Sequence, residues 1–420
     1  METMEKSLLE TFLKFIFLAI LFLSIPLYIY CQDCSEQVSK QEIRGKMVAQ
    51  FPFKISSGLI LVAVRVNDSK ELAMHLDTGM SAPIVALFHK ESIAEIGLQN
   101  TRQVLMGGAG SEGKKTAHLA GGVTVKIGDL VMPDQTLVIM DETRNTSPWQ
   151  VDGVIGRSIF DAYLTQIDYE TSAITLYDPA SSKVESPPAV AIPISLDISG
   201  IPTVETQINI NGKEDKTVKL VLDLGHRNAL FLNVNKTKGV LLPEKTIAGI
   251  AGKGIQGEIL SRWGRIREIK LGSFTMRDIP TSFLEEGMNM GLNREIVDGD
   301  IGQWLFRRFH VILDYKNKQM FLIPNKYFNQ TNEFDMAGFG LLEQDREGAF
   351  VVLHVIENSP ASENGIRKGD KIVKINGRDA REYDFYQVYD LLRQSGKQIG
   401  LTIARGQEQI EKTLILRRLI

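Results

Sequence analysis

Two aspartates in this chain follow hydrophobic segments of the same form. Asp77 comes after Leu-Ala-Met-His-Leu and before Thr-Gly, and Asp223 comes after Val-Lys-Leu-Val-Leu and before Leu-Gly. A glycine two positions after the aspartate permits a tight turn that points the carboxylate back toward the end of its strand. If two such turns meet, their carboxylates cannot both ionise and must share one proton. Such a pair is suited to general acid–base hydrolysis of an amide by water.

The two turns belong to a longer internal repeat. Residues 151–156 (Val-Asp-Gly-Val-Ile-Gly) match 297–302 (Val-Asp-Gly-Asp-Ile-Gly), and 167–169 (Ile-Asp-Tyr) match 313–315 (Leu-Asp-Tyr). All blocks keep one offset of 146 positions (77 to 223, 152 to 298, 168 to 314). The chain therefore contains two copies of a unit of about 130 residues. We expect the aspartates of the later blocks to have structural roles.

Both copies have the pattern of β structure. In the first copy, residues 59–66 are rich in Leu, Val and Ile and predict a strand, and after a polar turn residues 72–76 predict a second one. The second copy repeats this arrangement. Short helices are expected after each Asp-Gly-x-Ile-Gly block, at 158–163 and 303–309. A segment rich in Ser and Pro at 180–193 is the expected linker between the copies.

The pattern predicts three folded domains. The first copy is expected to form a lobe over residues 51–180 and the second a lobe over 194–325. After Pro324 the residue pattern of the repeat ends, and residues 333–420 have the length of one further small domain. The predicted fold class is mainly β, with two pseudo-symmetric lobes followed by this third domain.

The first two domains resemble the retropepsin-like aspartic proteases. The resemblance rests on the Asp-Thr-Gly turn at 77, on Asp-Gly-Val-Ile-Gly about 75 residues later, and on the repetition of both. It implies a bilobal aspartic protease fold with Asp77 and Asp223 as the catalytic pair, and Thr78, Gly79 and Gly225 shaping the pair. It also implies a polypeptide substrate and no metal or organic cofactor.

The third domain resembles a PDZ domain. Gly338, Phe339, Gly340 and Leu341 match the carboxylate-binding loop of that family, and Ser-Pro-Ala and Gly-Asp…Ile-Asn-Gly segments follow at the expected places. The resemblance implies that this loop offers backbone N–H groups to the C-terminal carboxylate of a peptide ligand. The peptide would add as a strand beside a helix expected at 383–393. A packing domain without a ligand is the alternative.

The second copy departs from the protease pattern. Leu224 stands where Thr or Ser is usual, Asp300 stands where the first copy has Val154, and Met80 and His226 occupy positions that usually hold small residues. The main function predicted is exported aspartic endopeptidase activity. A catalytically inactive pseudoprotease with a PDZ domain, acting as an adaptor that binds peptides, is the alternative. A third hypothesis is a dimer in which only the first copies are competent.

Both copies contain a glycine-rich stretch between the two motifs. Residues 108–115 hold three glycines, and 249–257 hold four. Two interpretations stay open: mobile flaps that close over a substrate and exclude water, and plain loops.

Composition excludes several classes of protein. The 420 residues include 48 Lys and Arg against 51 Asp and Glu, so the net charge of −3 gives no reason to expect a nucleic-acid partner. The hydrophobic fraction of 43% is ordinary for a globular protein, which excludes a polytopic membrane chain. Two cysteines and six histidines show no metal-ligand spacing.

The N-terminus differs from the rest of the chain. Residues 15–32 carry no charge and are mostly apolar, a length between a secretory signal and a membrane span. Residues 1–32 are therefore predicted to be a signal peptide or membrane anchor, with membrane contact only through 15–30. The folded domains are expected to be extracytoplasmic: periplasmic, secreted or membrane-anchored.

Overall fold

A computed structural model describes residues 42–82, 84–110, 112–144, 151–185, 191–284 and 297–420. The predicted signal or anchor segment lies outside these residues. In the part of the chain that is described, no helix is long and apolar enough to cross a membrane.

The first part of the structure is built almost entirely from strands. Its strands are β1 Glu42–Arg44, β2 Met47–Pro52, β3 Lys54–Ser56, β4 Leu59–Val66, β5 Leu72–Leu76, β6 Ile84–Leu87, β7 Arg102–Met106, β8 Lys115–Ile127, β9 Leu130–Met140, β10 Gly153–Ile155, β11 Leu164–Asp168, β12 Ala173–Tyr177 and β13 Lys183–Glu185. Its helices are α1 Glu91–Ile96 and α2 Arg157–Ala162.

The second part repeats this composition. Its strands are β14 Ile192–Pro193, β15 Ser195–Leu196, β16 Pro202–Asn209, β17 Asp215–Leu222, β18 Leu230–Asn233, β19 Ile247–Gly254, β20 Gly257–Leu271, β21 Phe274–Leu284, β22 Gly299–Ile301, β23 Phe309–Asp314 and β24 Gln319–Pro324. Helix α3 spans Gln303–Phe306. It is shorter than the expected 303–309, because the chain enters β23 at Phe309 and pairs there with β24.

The two copies have the same sheet topology. The strand order β3-β4-β5-β10-β6-β9-β8-β7 in the first lobe corresponds strand by strand to β15-β16-β17-β22-β18-β21-β20-β19 in the second. In both lobes the short strand of the Asp-Gly-x-Ile-Gly block, β10 or β22, lies between two neighbouring strands. It pairs in parallel with β5 or β17, the strand that leads into Asp77 or Asp223. The 146-residue repeat in the sequence is therefore a repeat of structure.

A third sheet joins the lobes. Its strand order β14-β24-β23-β11-β12-β2 places three strands from each copy side by side, with β11 and β23 meeting at the centre. Apolar residues of both copies, among them Ile167 and Val311, are fully buried in one continuous core. This shared burial gives the hydrophobic stabilisation that holds the lobes together.

The C-terminal domain has a separate core. Its elements are β25 Leu341–Gln344, β26 Phe350–His354, α4 Pro360–Glu363, β27 Lys371–Ile375, β28 Arg378–Asp379, a 3₁₀ turn Ala380–Glu382, α5 Phe385–Leu391, β29 Gln398–Arg405 and β30 Glu408–Ile415. The sheet order is β25-β26-β27-β29-β30, with β28 beside β27. Helix α5 begins at a capping box formed by Asp384 and Gln387, which satisfies its first free N–H groups.

Candidate active site

Asp77 and Asp223 lie at matching places in the two lobes. Each follows the last residue of a buried strand, and its backbone N–H donates to the neighbouring short strand: to Ile155 O in the first lobe and to Ile301 O in the second, both at 2.9 Å. Gly156 packs directly against the first turn, since a Cβ there would lie 1.6 Å from Asp77 O. The Asp-Gly-x-Ile-Gly block therefore braces the aspartate turn from behind.

The two carboxylates face each other across the lobe boundary. Asp77 Oδ1 accepts the N–H of Gly79 at 2.6 Å, and Asp223 Oδ1 accepts the N–H of Gly225 at 2.7 Å. A Cβ on Gly225 would lie 2.5 Å from Asp77 Cγ, and one on Gly79 would lie 3.0 Å from Asp223 Oδ1. Each glycine therefore leaves room for the carboxylate of the opposite lobe, with the closer approach at Gly225.

Both carboxyl groups hold their protons more tightly than usual. Burial raises the pKa of Asp77, and burial together with the charge of Asp77 raises the pKa of Asp223 well above its ordinary value. The negative charge of Asp300 acts on both in the same direction. Such a pair keeps one shared proton over a range of pH in which isolated aspartates would be ionised.

One hydroxyl crosses between the turns. Thr78 Oγ1 donates to Leu222 O at 2.5 Å and accepts from the N–H of Leu224 at 2.9 Å. The side chain of Leu224 is 1% exposed and packs in the central core. The symmetric hydroxyl is absent here, so one cross-lobe hydroxyl and one buried apolar side chain hold the two turns in register.

The later aspartates of the repeat have structural contacts. Asp152 Oδ2 accepts the N–H of Ala73 at 2.9 Å, and Asp298 Oδ2 accepts the N–H of Lys219 at 2.9 Å. These bonds tie the Asp-Gly turn of each lobe to the strand that leads into Asp77 or Asp223. They lie behind that aspartate and do not join the pair of carboxylates.

A cavity of about 570 Å³ contains both carboxylates. This volume is within the usual range for ligand sites. His75 also lines it, and burial, helped by the charge of Arg227, lowers the pKa of His75 to about 3, so this imidazole is neutral. Sequence reasoning did not single out His75 or Arg227 because neither has a matching residue in the other copy, where Val221 and Ser81 stand.

The glycine-rich tips of β7–β8 and β19–β20 meet each other and line the same cavity. Gln256 donates its N–H to Ala109 O and accepts from the N–H of Glu112, both at 2.8 Å. Its side-chain Oε1 accepts from the N–H of Gly108 at 3.1 Å. The two tips therefore form a bridge between the lobes, as expected of paired flaps. The flap interpretation fits this placement better than the plain-loop interpretation.

The C-terminal domain supplies part of the cavity wall. Glu343 of β25 and Leu353 of β26 line the cavity together with residues of both lobes. Burial raises the pKa of the Glu343 carboxyl, while the charges of Arg227 and Lys253 oppose that shift. A substrate in the cavity would therefore contact all three domains.

The outer edge of β25 is already occupied. Because the N–H of Asp345 donates to Ala349 O, the alternation of an antiparallel ladder turns the backbone groups of Leu342 and Gln344 away from β26. The N–H of Gln344 donates to Ser57 Oγ at 3.1 Å, and Leu342 O accepts from Arg227 Nη1. One residue from each protease lobe therefore holds the edge that a PDZ ligand would use.

The predicted carboxylate-binding loop is partly filled by a side chain of its own domain. The carboxylate of Asp335 accepts the N–H groups of Ala337, Gly338 and Phe339 at 2.8–2.9 Å. The sequence predicted that Gly338 and Phe339 would offer these groups to a ligand. The structure instead uses them internally, and Asp335, three residues before Gly338, was not recognised as their partner.

The groove of this domain is covered by the protease lobes. Phe385 of α5 lies under the guanidinium of Arg227, 5.6 Å from ring centroid to Cζ, and Tyr386 Oη donates to Gly58 O at 3.0 Å. A cavity of only about 30 Å³ remains between Gly340, α5 and the second lobe. That space suits a water molecule and not the end of a peptide.

One group of side chains in the described residues is close enough to hold a metal ion. The ligand atoms of Asp168, Glu170 and His310 lie within 4.8 Å of one another. His310 Nδ1 is 3.1 Å from Asp168, and its Nε2 is 3.3 Å from Glu170. Both ring nitrogens therefore already have a carboxylate neighbour within this group.

Two family models match parts of the chain. An aspartyl protease model matches residues 62–159, and a PDZ domain model matches residues 351–405. Together with the topology, these matches confirm the resemblance to retropepsin-like aspartic proteases and the fold class, a mainly β bilobal aspartic protease fold followed by a PDZ domain. They support a protease-type hydrolase and a peptide-binding domain.

Two curated proteins and one solved structure with similarity to this chain are named as proteases. The carboxy-terminal processing protease CtpA of Bacillus subtilis (strain 168) is 27% identical over 82 residues, 19% of this chain and 18% of that protein. A probable CtpA-like serine protease of Staphylococcus haemolyticus (strain JCSC1435) is 23% identical over 146 residues, 34% of this chain and 28% of that protein. The chain thus spans less than a third of the curated relatives it matches. The aspartic proteinase from Irpex lacteus aligns with a TM-score of 0.42 and 13% identity over 68% of this chain and 99% of that one.

Proposed function

We propose that this protein is an exported aspartic endopeptidase in which Asp77 and Asp223 of one chain form the catalytic pair. The single observation that carries the proposal is the close approach of the two half-buried carboxylates, each beside the glycine of the opposite turn. Their shared-proton state has the acid and the base that amide hydrolysis requires. The cavity beneath the paired hairpin tips has room for a peptide segment.

The proposed reaction needs no covalent intermediate. The ionised carboxylate takes a proton from a water molecule as the water oxygen attacks the scissile carbonyl carbon. The protonated carboxyl donates its proton to the carbonyl oxygen, and a tetrahedral diol forms. The pair then donates its proton to the amide nitrogen and takes one from a hydroxyl of the diol as the C–N bond breaks. This step releases the amine and the carboxylic acid and leaves the pair with its single shared proton. No metal or organic cofactor takes part in these steps.

Digestion of a denatured protein tests this proposal directly. The purified chain is incubated with the substrate at several pH values, with and without a statine-type inhibitor. Inhibitor-sensitive internal cleavage is expected. If the wild-type chain cleaves nothing at acid or neutral pH, the adaptor function becomes the better account, and the buried Leu224 in place of a cross-lobe hydroxyl is the observation that favours it.

We propose that the PDZ domain docks the C-terminal end of a substrate or partner, and that docking requires the domain to leave the protease lobes. Support comes from the occupation of its β25 edge by Ser57 and Arg227 and from the contacts of α5 with Gly58. A peptide strand and these contacts would use the same backbone groups. The apparent Kd of the full chain is therefore the Kd of the open domain divided by the fraction of chains whose groove is open.

Weakening the docking contacts is expected to strengthen peptide binding. The double variant Gln344→Ala with Tyr386→Phe removes the acceptor for Ser57 N–H and the donor to Gly58 O. We expect roughly thirtyfold tighter binding of a free-carboxylate peptide to the full chain, since two neutral hydrogen bonds at about 1 kcal/mol each are lost. Fluorescence anisotropy with a library-selected peptide measures the change.

Tyr383→Phe is the matched control for this measurement. Tyr383 Oη donates to Ile375 O within the same domain, so its loss should leave the peptide affinity unchanged. The amidated form of the peptide should bind the double variant weakly. Equal binding of the double variant and the wild type would contradict the proposed competition for the groove.

We propose that the folded domains lie outside the cytoplasm. The support is the charge-free apolar run at 15–32. A reporter enzyme that works only in the cytoplasm, fused after Ile420, should be silent, whereas a reporter that works only after export should be active. Strong activity of the cytoplasmic reporter would contradict export.

A further inference from the structure

A third carboxylate lies beside the proposed catalytic pair and is present in one lobe only. Asp300 in β22 stands opposite Val221 of β17 and Phe231 of β18, and its side chain is fully buried. In the first lobe the matching residue of β10 is Val154, which stands opposite His75. The two lobes thus differ at this one position directly behind the aspartate turn.

His226, three residues after Asp223, binds this carboxylate. His226 Nδ1 and Asp300 Oδ1 form a short hydrogen bond. On the other side of the ring, Nε2 lies 3.1 Å from Asn228 Nδ2, which also donates to Ala251 O at 2.8 Å. A carbonyl oxygen can only accept, so the amide group of Asn228 is oriented with its nitrogen toward both atoms.

This arrangement defines the proton on the imidazole. Because Asn228 donates to Nε2, that nitrogen is the acceptor, and Nδ1 carries the hydrogen that is donated to Asp300. The second oxygen of Asp300, Oδ2, is buried and has no hydrogen-bond partner among the described residues. In the same part of the chain, His226 is the one side chain that pairs with Asp300.

We propose that His226 and Asp300 are positioning residues that hold the Asp223 turn and move the hydrolytic activity of the pair toward neutral pH. The inference rests on the proposed function. His226 also ties the turn to the helix that follows β22, because its carbonyl oxygen accepts the N–H of Gln303 at 2.7 Å. His226 and Asp300 thereby link the Asp223 turn to β22 behind it and, through Asn228, to Ala251 in strand β19 of the second flap.

The direction of the pH effect follows from the charge of Asp300. The active form of the pair carries one proton, and a neighbouring anion raises the pKa of both Asp77 and Asp223. The range of pH with one shared proton therefore lies higher than it would without Asp300.

Other titratable or charged groups also face the site. His75 on β5 is neutral because its pKa is about 3. Tyr315, after β23, is neutral because burial raises the pKa of its hydroxyl well above the ordinary value. Arg227, Lys253 and Glu343 line the cavity as well, and all three are unchanged in the variants compared below.

The test is the pH profile of kcat/KM for Asp300→Asn and Asp300→Val on one peptide substrate. Asn keeps the shape of the side chain, and Val is the residue that the first lobe has at this place. Both should move the profile toward acid, and the ratio of kcat/KM at pH 7 to that at pH 5 should fall roughly tenfold. Asp314→Asn, which removes a buried carboxylate that binds Asn317 outside the cavity, is the control and should keep the wild-type ratio.

Two results would overturn the inference. If Asp300→Asn lowers kcat/KM equally at every pH, Asp300 is only a packing residue. If wild type hydrolyses nothing, the proposed function fails, and the melting temperature still tests the inference. A carboxyl whose pKa is raised by folding stabilises the fold when protonated, and that stabilisation is lost as the pH rises through its folded pKa. Wild type should therefore lose more Tm than Asp300→Asn between pH 5 and pH 7, and equal losses would contradict the role of Asp300.

Discussion

Asp77→Asn is expected to reduce peptide hydrolysis at least about a thousandfold and to leave the fold intact. The amide keeps the acceptor for the N–H of Gly79 but removes the group that shares the proton with Asp223. Acid–base catalysis contributes roughly 10²–10⁴ in rate, and the pair acts as one unit. Tm should be unchanged or higher, because the repulsion between two buried carboxyl groups is relieved. Initial rates on a fluorogenic peptide and a thermal melt measure both effects.

Asp223→Asn should have the same effect, because the proposed pair takes one member from each lobe. The comparison also separates the remaining hypotheses. Loss of activity in Asp77→Asn alone would indicate a dimer of first lobes, in which Asp223 has no chemical role. Unchanged activity in both variants would contradict the assignment of the catalytic pair.

Gly225→Ala is expected to lower kcat/KM by about a hundredfold or more. A Cβ at this place would lie 2.5 Å from Asp77 Cγ and 2.7 Å from both of its oxygens, so the two turns must move apart. A displacement of about 1 Å between catalytic groups can cost on the order of 10² in rate. The overpacking should also destabilise the fold by about 1–3 kcal/mol. Denaturant unfolding measures this cost separately from the rate.

Alanine substitutions at two further glycines should lower the activity less than Gly225→Ala. Gly79→Ala should lose less activity, since its Cβ would approach Asp223 Oδ1 only to 3.0 Å. Gly121→Ala in β8 is the matched control, because a Cβ there meets no atom within 4 Å. Comparable losses in Gly225→Ala and Gly121→Ala would contradict the view that Gly225 makes room for the opposite carboxylate.

Repetition made the fold predictable from the sequence. The strands expected at 59–66 and 72–76 are those observed, because each is a mostly apolar run that ends at a turn. The single offset of 146 positions predicted a second lobe of the same topology, which the structure contains. The helix expected at 303–309 ends at Phe306, since pairing with a distant strand takes over from local propensity.

The contacts between domains were outside the reach of the sequence pattern. Ser57 and Arg227 belong to no motif, yet they bind the edge of β25 about 287 and 115 residues away. Asp335 likewise binds the N–H groups of a loop that the sequence pattern predicted to be open to a ligand. Local patterns report which faces of an element are apolar, whereas the partner that covers a face depends on long-range packing.

The position of His226 depends on long-range packing in the same way. Its side chain is 9% exposed because it packs in the lobe and forms a hydrogen bond with Asp300, 74 residues later. The sequence marked both residues as departures from the family pattern without placing them together. Their pairing became visible only through the parallel register of β17 and β22.

Active-site titration with a tight-binding statine-type inhibitor tests the central claim most directly. Such inhibitors imitate the tetrahedral diol and bind far more tightly than substrate. If Asp77 and Asp223 of one chain form one site, hydrolysis should fall linearly and reach zero at one inhibitor per chain. An end point at one inhibitor per two chains, or hydrolysis that the inhibitor does not affect, would contradict the intramolecular pair.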